Sequence, residues 1–414
     1  MIQELYDYLA SHYFYLNEGE FRHCTDKYGK EEFRWTIAEY VANERPSFPF
    51  RKMEYSDMVD TFRKLQKADY SNFITPMEQL DNEVIEKYDD YKYEFQTCGQ
   101  GLIDTPSTYN LCSDYFMNHL RLACGAYSYM APAQVWEQGT AKQIWSSIGG
   151  LWRGVNSTKD LSEKSVMEVL RLGTYIATQF KPIVAKTIYN MTDAKTVLDT
   201  SMGWGDRLAG FYASNATHYI GCDPNPYTFD VYSQMISEYN KLAPGKTTQI
   251  YRCGAEDLPW DSIENVDCAF TSPPYFSTEM YNKGGEFEED QSWSKFNEYE
   301  RWRDEFYLPV ALNSFNSLSE NGFLMTNIMD PKIKGKRYRS CDELVDSLQS
   351  NFLGQIGMRI MQRPQGKNKF ETKEELIEFM GKHYIENVWC FGKNKDFDFF
   401  RHKRRATLEG LFGD

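Results

Sequence analysis

The chain has 414 residues, of which 41% are hydrophobic and 26% charged, a composition typical of folded globular proteins that argues against global disorder. Glu4 and Asp7 near the start predict that no signal peptide is present, and no run approaches the ~18 apolar residues of a membrane helix. The nine cysteines include no Cys-x-x-Cys pair and the six histidines show no ligand spacing. We therefore expect a protein of a reducing cytoplasm, without a metal site or a disulfide framework.

The net charge of −14 argues against a polyanionic partner, because phosphate neutralisation needs Lys and Arg. The charge is uneven, however. From Pro331 onward, 17 Lys and Arg residues stand against 12 Asp and Glu residues, which gives this part of the chain a net charge of +5. A local basic face can bind nucleic acid on an otherwise acidic protein.

Residues 1–160 are predicted to form a mostly helical N-terminal domain. Apolar residues recur at helical spacing over 56–67, and a second helical segment follows Ser113. The stretch 139–158 is rich in Gly and Ser and predicts a loop that leads to a second domain, 161–414.

The pattern changes after residue 160. Two helical segments, 162–172 and 174–190, lead into short apolar runs of strand length. These runs cover 196–199, 219–222, 249–253, 266–270, 323–328, 354–360 and 387–391. Strands that alternate with helices predict an α/β fold with a mostly parallel sheet, and the last two runs predict an antiparallel hairpin at its end.

A glycine motif follows the first of these runs, in the segment Thr196-Val-Leu-Asp-Thr-Ser-Met-Gly-Trp-Gly-Asp-Arg-Leu. Gly203 and Gly205 allow a tight turn and a close approach of the backbone to a ligand. About 20 residues on, Asp223 ends the next strand, where nucleotide-binding α/β folds carry a ribose-binding carboxylate. A structural turn would explain Gly-x-Gly alone, but the whole pattern favours a nucleoside cofactor.

The choice of cofactor is narrowed by two motifs that the sequence lacks. The full phosphate-loop motif Gly-x-x-x-x-Gly-Lys-Ser/Thr does not occur, which argues against an NTPase. Position 208 is Leu, so the third glycine of a dinucleotide motif is missing as well. The sequence therefore does not predict a pyrophosphate site.

A second motif, Thr-Ser-Pro-Pro-Tyr, follows the fourth predicted strand. Pro273 and Pro274 fix an extended turn and remove two N–H donors, which leaves carbonyl oxygens without partners. Ser272 adds a hydroxyl and Tyr275 a flat ring. This set of groups can hold an amino group while a ring stacks on a base, although a proline turn that only closes a strand is the structural alternative.

Together these motifs resemble those of the amino-methyltransferases, which methylate cytosine N4 or adenine N6 in DNA. The segment 179–189 resembles the element that lines the methionine end of their cofactor. The segment 291–302 and Asn327-Ile resemble parts of DNA methylases from phages and bacteria. The resemblance covers about residues 161–395. It implies a Rossmann-like class I fold and S-adenosylmethionine as the cofactor.

The resemblance also implies roles for individual residues. The cofactor would be bound by Lys181, Pro182, Asp199, Ser201, Gly203, Gly205, Asp223, Glu256, Asp257 and Ser272. Among these, Asp223 would bind the ribose, and Glu256 and Asp257 would lie near the adenine amino group.

The catalytic residues that the resemblance implies are Ser272, Pro273, Pro274 and Tyr275. Ser272 and the Pro273 carbonyl would bind the target amine, and Tyr275 would stack on a base extruded from the duplex. Because Ser at this position is commoner among cytosine-N4 enzymes, cytosine is the first expectation and adenine the second. Transfer from a sulfonium needs no metal and depends mainly on positioning.

A basic segment follows the fifth predicted strand. Within 332–339, the cations Lys332, Lys334, Lys336, Arg337 and Arg339 surround one aromatic ring. They predict either a phosphate-binding surface or an ordinary solvated face. The stretches 363–369 and 401–405 are basic as well.

Three functional hypotheses stay open. The first is an amino-methyltransferase that acts on DNA, and the second is the same chemistry on RNA or on a modified nucleotide. The third is a nucleic-acid-binding module without catalysis, against which the intact motifs argue. Members of this family often carry a recognition domain after the catalytic motif, but here only about 85 residues follow the fifth strand. Recognition is therefore expected in the N-terminal helical region or in the insertions.

Overall fold

The computed structural model describes residues 2–88, 90–126, 129–281, 283–360 and 370–412, with side chains up to residue 407. The basic stretch 363–369 lies outside the described residues. The chain divides into two compact units, each built from separate segments. Unit 1 comprises Met1–Glu54, Met117–Thr178 and Met280–Glu288, and unit 2 comprises Tyr55–Phe116, Gln179–Glu279 and Glu289–Asp414.

The described residues form helices and strands that alternate over much of the chain. The helices are α1 Gln3–Ser11, α2 Glu18–Tyr28, α3 Lys30–Glu44, α4 Tyr55–Lys67, α5 Phe95–Cys98, α6 Leu111–Ala123, α7 Pro132–Gln138, α8 Ala141–Ser147, α9 Glu163–Gly173, α10 Pro182–Met191, α11 Asp206–Ala213, α12 Pro226–Leu242, α13 Ser292–Lys295, α14 Tyr299–Arg301, α15 Leu308–Asn316, α16 Ser340–Ser347, α17 Lys373–Gly381 and α18 Arg401–Phe412. The strands are β1 Ile74–Pro76, β2 Val84–Glu86, β3 Gly99–Ile103, β4 Thr196–Asp199, β5 His218–Cys222, β6 Thr247–Tyr251, β7 Val266–Thr271, β8 Leu318–Asn327, β9 Lys332–Ile333, β10 Lys336–Arg337, β11 Phe352–Arg359 and β12 His383–Gly392.

Unit 1 is a helical unit with its own apolar core. Side chains from its helices form one buried cluster that includes Phe33, Trp136 and Leu151. Helix α2 begins at a capping box in which the Asn17 side chain accepts from the N–H of Glu20 and the Glu20 side chain accepts from the N–H of Asn17. Such caps satisfy backbone donors that a helix leaves unpaired at its start.

Unit 2 contains the large sheet. Its strands lie in the order β1-β3-β11-β12-β8-β7-β4-β5-β6, and β2 pairs with β12. Neighbouring strands from β6 to β8 are parallel, whereas β12 is antiparallel to both β8 and β11. The buried side chains of β4, β7 and β8 place the hydrophobic core of this unit at the centre of the sheet.

The strand order confirms the predicted fold class. All seven predicted apolar runs are strands, and the last two form the expected antiparallel pair. The hairpin β9–β10 pairs only with itself and is left out of the count. When the other strands from β4 onward are numbered along the chain, their order across the sheet, read from β6 to β11, is 3-2-1-4-5-7-6. This order and the single reversed strand define the Rossmann-like fold of class I methyltransferases.

Two predictions about local structure are wrong. Residues 174–181 are not helical, because Pro182 can occupy only the first turn of α10 and holds Lys181 before it in an extended conformation. The stretch 139–158 is not a linker, because Thr140 caps α8 within unit 1 through a capping box with Gln143.

The segment Tyr55–Phe116, which the sequence places in the N-terminal domain, belongs to unit 2. Strand β3 joins the edge of the sheet by pairing in parallel with β11, and β1 pairs with β3. Helix α4 packs onto the same unit through Phe62, whose ring centroid lies 4.6 Å from that of Tyr239. These strands are only three to five residues long, so their apolar pattern is too short to be recognised in the sequence.

In unit 2, two buried lysine side chains bind backbone carbonyls at the carboxyl ends of helices. The Nζ of Lys186 donates to three backbone carbonyls at the carboxyl end of α4, at 2.7, 2.8 and 2.7 Å. The Nζ of Lys246 donates to three carbonyls at the end of α11, at 3.0, 2.7 and 2.6 Å. Burial lowers the pKa of each lysine to about 8. Each ammonium therefore satisfies carbonyls that the helix leaves unpaired at its end.

Candidate active site

The predicted cofactor and catalytic residues meet at one edge of the sheet. Strands β4, β5, β7 and β8 are parallel, so their carboxyl ends lie on the same side. Asp199 ends β4, Asp223 follows β5, Ser272 follows β7 and Asn327 ends β8. Ligands of open α/β sheets bind at this edge.

The glycine turn after β4 has the backbone that only glycine adopts readily. Gly203 and Gly205 have φ values of 55° and 74°, in the left-handed region. A side chain at Gly203 would meet only the Ser201 carbonyl, at 3.8 Å, so the space beside the turn is open. Ser201 stays within the turn, where its hydroxyl donates to the Thr200 carbonyl at 2.7 Å.

Asp223 connects this glycine turn to the turn that follows β5. Its Oδ2 accepts from the N–H of Gly203 at 2.8 Å, and its Oδ1 accepts from the N–H of Asn225 at 3.0 Å. The hydroxyl of Thr228 lies 3.4 Å from the same Oδ1. The Tyr232 hydroxyl also acts on this carboxylate. A carboxylate has about four acceptor positions, and because the Thr228 and Tyr232 hydroxyls also donate to the carbonyls of Asn225 and Gly203, Asp223 can still accept from a ribose hydroxyl.

The environment of Asp223 makes its charge sensitive to pH. Its side chain is buried, and this burial raises the pKa of the carboxyl group to about 6, although the N–H groups of Asn225 and Gly203 act in the opposite direction. The carboxylate is therefore predominantly ionised at neutral pH and protonated at pH 5.

Asp199 is fully buried and stabilises the glycine turn through hydrogen bonds. Its Oδ2 accepts from Arg207 Nε at 2.9 Å and from the Tyr219 hydroxyl at 2.7 Å, and its Oδ1 accepts from the N–H of Ser201 at 3.2 Å. Arg207 also donates to the Ser201 carbonyl. The ion pair is fully buried on the Asp199 side. Each charge therefore needs the other, since a buried unpaired charge is strongly unfavourable.

A polar cluster lies at the start of the helix that follows the glycine turn. Asp206, the first residue of α11, accepts from Gln179 Nε2 at 3.2 Å and also from the Ser113 hydroxyl. Gln179 in turn accepts from Asn110 Nδ2 at 2.9 Å. The predicted cofactor residues Lys181 and Pro182 follow Gln179 at the N-terminus of α10. The segment 179–182 is thus fixed to the helix that the glycine turn begins.

The predicted adenine neighbours form an ion-pair cluster. Lys295 Nζ donates to Glu256 Oε1 at 2.8 Å and lies 3.6 Å from Asp257 Oδ2. The Asp257 side chain is 64% exposed, whereas that of Glu256 is 15% exposed. Of the two, Glu256 is therefore the one held in a fixed position.

The Thr-Ser-Pro-Pro-Tyr turn carries a hydrogen-bond chain. Ser272 Oγ lies 3.3 Å from the Tyr275 hydroxyl, and that hydroxyl lies 3.2 Å from both the carbonyl oxygen and the Oδ1 of Asn327. Tyr275 is 8% exposed and belongs to the core cluster of unit 2. The structure thus brings Ser272 and Tyr275 together, with the Tyr275 ring packed in the core.

The two prolines shape the turn. The Pro274 carbonyl accepts from the N–H of Phe276 at 2.9 Å, and Phe276 has a φ of 50°. A bulky residue in this region is strained, and such strain is common at functional sites. Among the described residues, no donor reaches the Pro273 carbonyl. Pro273 and Ser272 therefore offer acceptors at the same end of β7.

The basic segment forms the hairpin β9–β10, whose lysines and arginines differ in their surroundings. Lys332, Lys334 and Lys336 are exposed. Arg337 donates to Asp330 Oδ2 at 2.8 Å, and its guanidinium also forms an ion pair with Asp90.

Arg339 is bound in the same way as Arg337. Its Nη2 donates to Asp90 at 2.7 Å, and its Nη1 lies 3.6 Å from Asp342. The charges of both arginines are thus balanced within unit 2. The three lysines of the hairpin are exposed, and Arg339 is exposed as well although it is paired.

Sequence reasoning missed several residues of this site. Arg207 stands two residues after Gly205, within the motif segment, and a basic residue in the first turn of the helix is the signal that could have paired it with Asp199. Asn327 and Lys295 lie in segments that the family resemblance covers, but neither had been given a role. No sequence pattern connects them with Tyr275 or Glu256, because these contacts join different strands and loops.

No protein-family model and no curated protein match the sequence. Solved structures do match. An rRNA methylase from Streptococcus thermophilus is 14% identical, with 53% of this chain and 100% of that chain covered at a TM-score of 0.30. An O-methyltransferase from Thermotoga maritima is 13% identical, with coverage of 52% and 67% and a TM-score of 0.30. A methyltransferase from Podospora anserina, solved bound to S-adenosylhomocysteine, is 11% identical, with coverage of 44% and 61% and a TM-score of 0.25.

Two further findings concern the described residues. No group of three or more His, Cys, Asp or Glu side chains among them is arranged to hold a metal ion. No described helix is both long and apolar enough to cross a membrane.

Proposed function

We propose that this protein is an S-adenosylmethionine-dependent methyltransferase that acts on an exocyclic amino group of a nucleic-acid base, with cytosine N4 in DNA as the first target. The observation that carries the proposal is the position of Ser272. It lies at the carboxyl end of β7, and β4 beside it leads into the glycine turn that Asp223 holds. Acceptors for an amine and a nucleoside-binding turn thus share one edge of the sheet.

The residues at the glycine turn fit the proposed cofactor. Gly203 leaves open space, and Asp223 keeps an acceptor for a ribose hydroxyl. Glu256 follows β6 and is proposed to bind the adenine amino group, and Lys181 and Pro182, at the start of α10, are proposed to line the methionine end of the cofactor. When bound, the cofactor would supply an electrophilic methyl group on its sulfonium.

The residues of the chain act mainly by positioning. Ser272 Oγ and the Pro273 carbonyl accept hydrogen bonds from the two N–H groups of the target amine. These hydrogen bonds direct the nitrogen lone pair away from the ring plane. The nitrogen would form a bond to the methyl carbon as the bond between that carbon and the sulfonium sulfur breaks, which would leave a neutral thioether, and the nitrogen would lose one proton to solvent. Holding the reactants in such a geometry lowers the activation free energy, because the entropy of bringing them together is lost on binding and not in the transfer step. A base within a duplex must first be extruded to reach this edge.

Nucleic acid is the proposed partner because the hairpin β9–β10 follows β8 on the carboxyl side of the sheet. Its exposed Lys332, Lys334 and Lys336 suit a phosphate backbone. We assign the recognition of sequence to the N-terminal helical region, residues 1–160, or to the insertions.

The experiment uses full-length protein, labelled S-adenosylmethionine, and matched DNA and RNA oligonucleotides. Digested products are analysed by mass spectrometry for N4-methylcytosine, N6-methyladenine and ring-carbon methylation. Ser272→Ala is expected to lower the transfer rate while cofactor affinity stays nearly constant. Ser319→Ala is the matched control, since it removes a serine hydroxyl that donates to Asp267 at 3.0 Å at the opposite edge of the sheet.

Three results would contradict the proposal. They are methyl groups on a ring carbon, full activity of Ser272→Ala, and a folded wild-type protein that does not bind the cofactor. N6-methyladenine as the product would keep the amino-methyltransferase assignment and replace the base. Methylation of RNA alone would keep the chemistry and replace the partner.

A further inference from the structure

The hydrogen bonds around Tyr275 have only one consistent direction. Its hydroxyl faces the carbonyl oxygen and the Oδ1 of Asn327, both at 3.2 Å. Neither of these oxygens can donate a hydrogen bond. The Tyr275 hydroxyl must therefore donate its single hydrogen toward Asn327.

The orientation of the Asn327 amide is itself fixed. Its Nδ2 donates to the backbone carbonyl of Asn387 at 3.1 Å. A carbonyl requires a donor, so the nitrogen must face Asn387 and the oxygen must face Tyr275. Asn387 is held in place in turn, because its own Nδ2 donates to Glu86 Oε1 at 2.6 Å.

The direction of this chain determines what Ser272 can do. With its hydrogen directed at Asn327, the Tyr275 oxygen can only accept from Ser272, whose Oγ lies 3.3 Å away. The hydrogen of Ser272 is then used within the protein. The lone pairs of Ser272 Oγ stay available to an external donor.

Resting on the proposed function, we propose that Asn327 and the Tyr275 hydroxyl are positioning groups that hold Ser272 as an acceptor and thereby select a substrate that donates N–H bonds. An amino group on a planar ring fits this site. A carbonyl at the same ring position does not, since it would face the lone pairs of Ser272 and the Pro273 carbonyl. The site thus favours cytosine over uracil or thymine by the direction of its hydrogen bonds.

This role differs from base stacking by Tyr275. A stacking ring would act through its face and would tolerate Tyr275→Phe, whereas a positioning hydroxyl would not. The ring is 8% exposed in the structure, and its hydroxyl forms three contacts within hydrogen-bonding distance. The geometry therefore assigns the function of Tyr275 to its hydroxyl.

The test is a double-mutant cycle on full-length protein with a cytosine-containing oligonucleotide. Single-turnover rate constants are measured at saturating cofactor for wild type, Tyr275→Phe, Ser272→Ala and the double variant. Tyr275→Phe is expected to lower the rate constant about tenfold, the loss typical of one hydrogen bond. In the Ser272→Ala background the same change is expected to have no further effect, because it acts through Ser272.

Two further measurements separate positioning from stability. Affinity for the oligonucleotide in the presence of S-adenosylhomocysteine should stay within about twofold for Tyr275→Phe, since the hydroxyl that is removed contacts Ser272 and Asn327 and acts on the substrate only through Ser272. Tyr212→Phe is the matched control. It removes a buried hydroxyl that donates to Asn240 Oδ1 at 2.9 Å, and it should lower thermal stability without changing the rate constant. Asn327→Ala should lower the rate less than Tyr275→Phe does, because its backbone carbonyl remains.

The outcomes are distinguishable. If the wild-type protein methylates cytosine but Tyr275→Phe retains the full rate, or if the two variants have multiplicative effects, the inference is overturned and the proposed function stands. If the wild-type protein methylates no nucleic acid, the proposed function fails and the inference fails with it. Non-additive losses with unchanged oligonucleotide affinity support both.

Discussion

The carboxylate of Asp223 allows a test of the cofactor proposal in which pH serves as the perturbation. Its burial raises the pKa to about 6, and its oxygens already bind the N–H groups of Gly203 and Asn225. The ionised form binds these donors through charge-assisted hydrogen bonds and keeps a lone pair for a ribose hydroxyl, whereas protonation turns one acceptor position into a donor and weakens the others. Cofactor affinity should therefore fall as the pH drops below 6.

The magnitude follows from the titration of one group. At pH 7 a carboxyl group with a pKa of about 6 is about nine-tenths ionised, and at pH 5 about one-tenth is ionised, so the affinity for S-adenosylhomocysteine should be about tenfold lower at pH 5. Asp223→Asn removes a charge-assisted acceptor, which costs about 1.5–3 kcal/mol, or roughly a 10- to 150-fold loss. The variant should also lose most of the pH dependence between 5 and 7.

The assay is isothermal calorimetry at pH 5, 6 and 7, with thermal unfolding at each pH to verify that the protein is folded. Asp267→Asn is the matched control. Its carboxylate accepts from two backbone N–H groups, those of Lys195 at 3.0 Å and Thr196 at 2.9 Å, at the opposite edge of the sheet. This control should reduce stability and keep the wild-type affinity. An affinity that is constant from pH 5 to 7, or an Asp223→Asn variant that binds as wild type, would refute the assigned role of Asp223.

Three further predictions concern single elements. Arg207→Leu leaves the Asp199 carboxylate buried without its cation and should lower the free energy of unfolding by about 3–5 kcal/mol in urea denaturation; an unchanged midpoint would contradict it. Replacing Lys332, Lys334 and Lys336 with Gln should make the log–log salt slope of DNA binding shallower by about 0.9 per lost phosphate contact, and an unchanged slope would assign the lysines to a solvated face. The folded-state pKa of Lys186, about 8, lies below that of the unfolded chain, so the wild-type free energy of unfolding should rise from pH 8 to pH 10. Lys186→Met should remove part of this rise in thermal unfolding, and equal pH profiles of the two proteins would contradict the prediction.

Much of the fold could be predicted because its signals are local. The run Thr196–Asp199 and the glycines after it form a strand and a turn from their own residues, and the same holds for β5 and β7. The hairpin β11–β12 was also foreseen from two apolar runs. The edge strands β1 and β3 were not, because their pairing depends on β11 far along the chain.

The site was predicted less completely than the fold, for a related reason. The residue types of the two motifs indicate what they can bind, and the structure places Ser272 and Asp223 at the same edge of the sheet. The partners of these residues come from other strands. No local pattern shows that the Tyr275 hydroxyl donates to Asn327, so the sequence predicts only a stacking role for its ring. Similarly, Arg337 stands in a run of cations, and only the fold reveals Asp330 and Asp90 beside it.

The pairing of β3 with β11 has a consequence for biosynthesis. Gln100 bonds the backbone carbonyl of Leu353, 253 residues later in the chain. While the protein is being translated, the segment that carries β1 and β3 leaves the ribosome long before its partner strand exists. Unpaired strand edges are prone to pair with other chains. Completion of unit 2 must therefore wait until nearly the whole chain has been made, and the nascent protein should depend on protection of this segment during that interval.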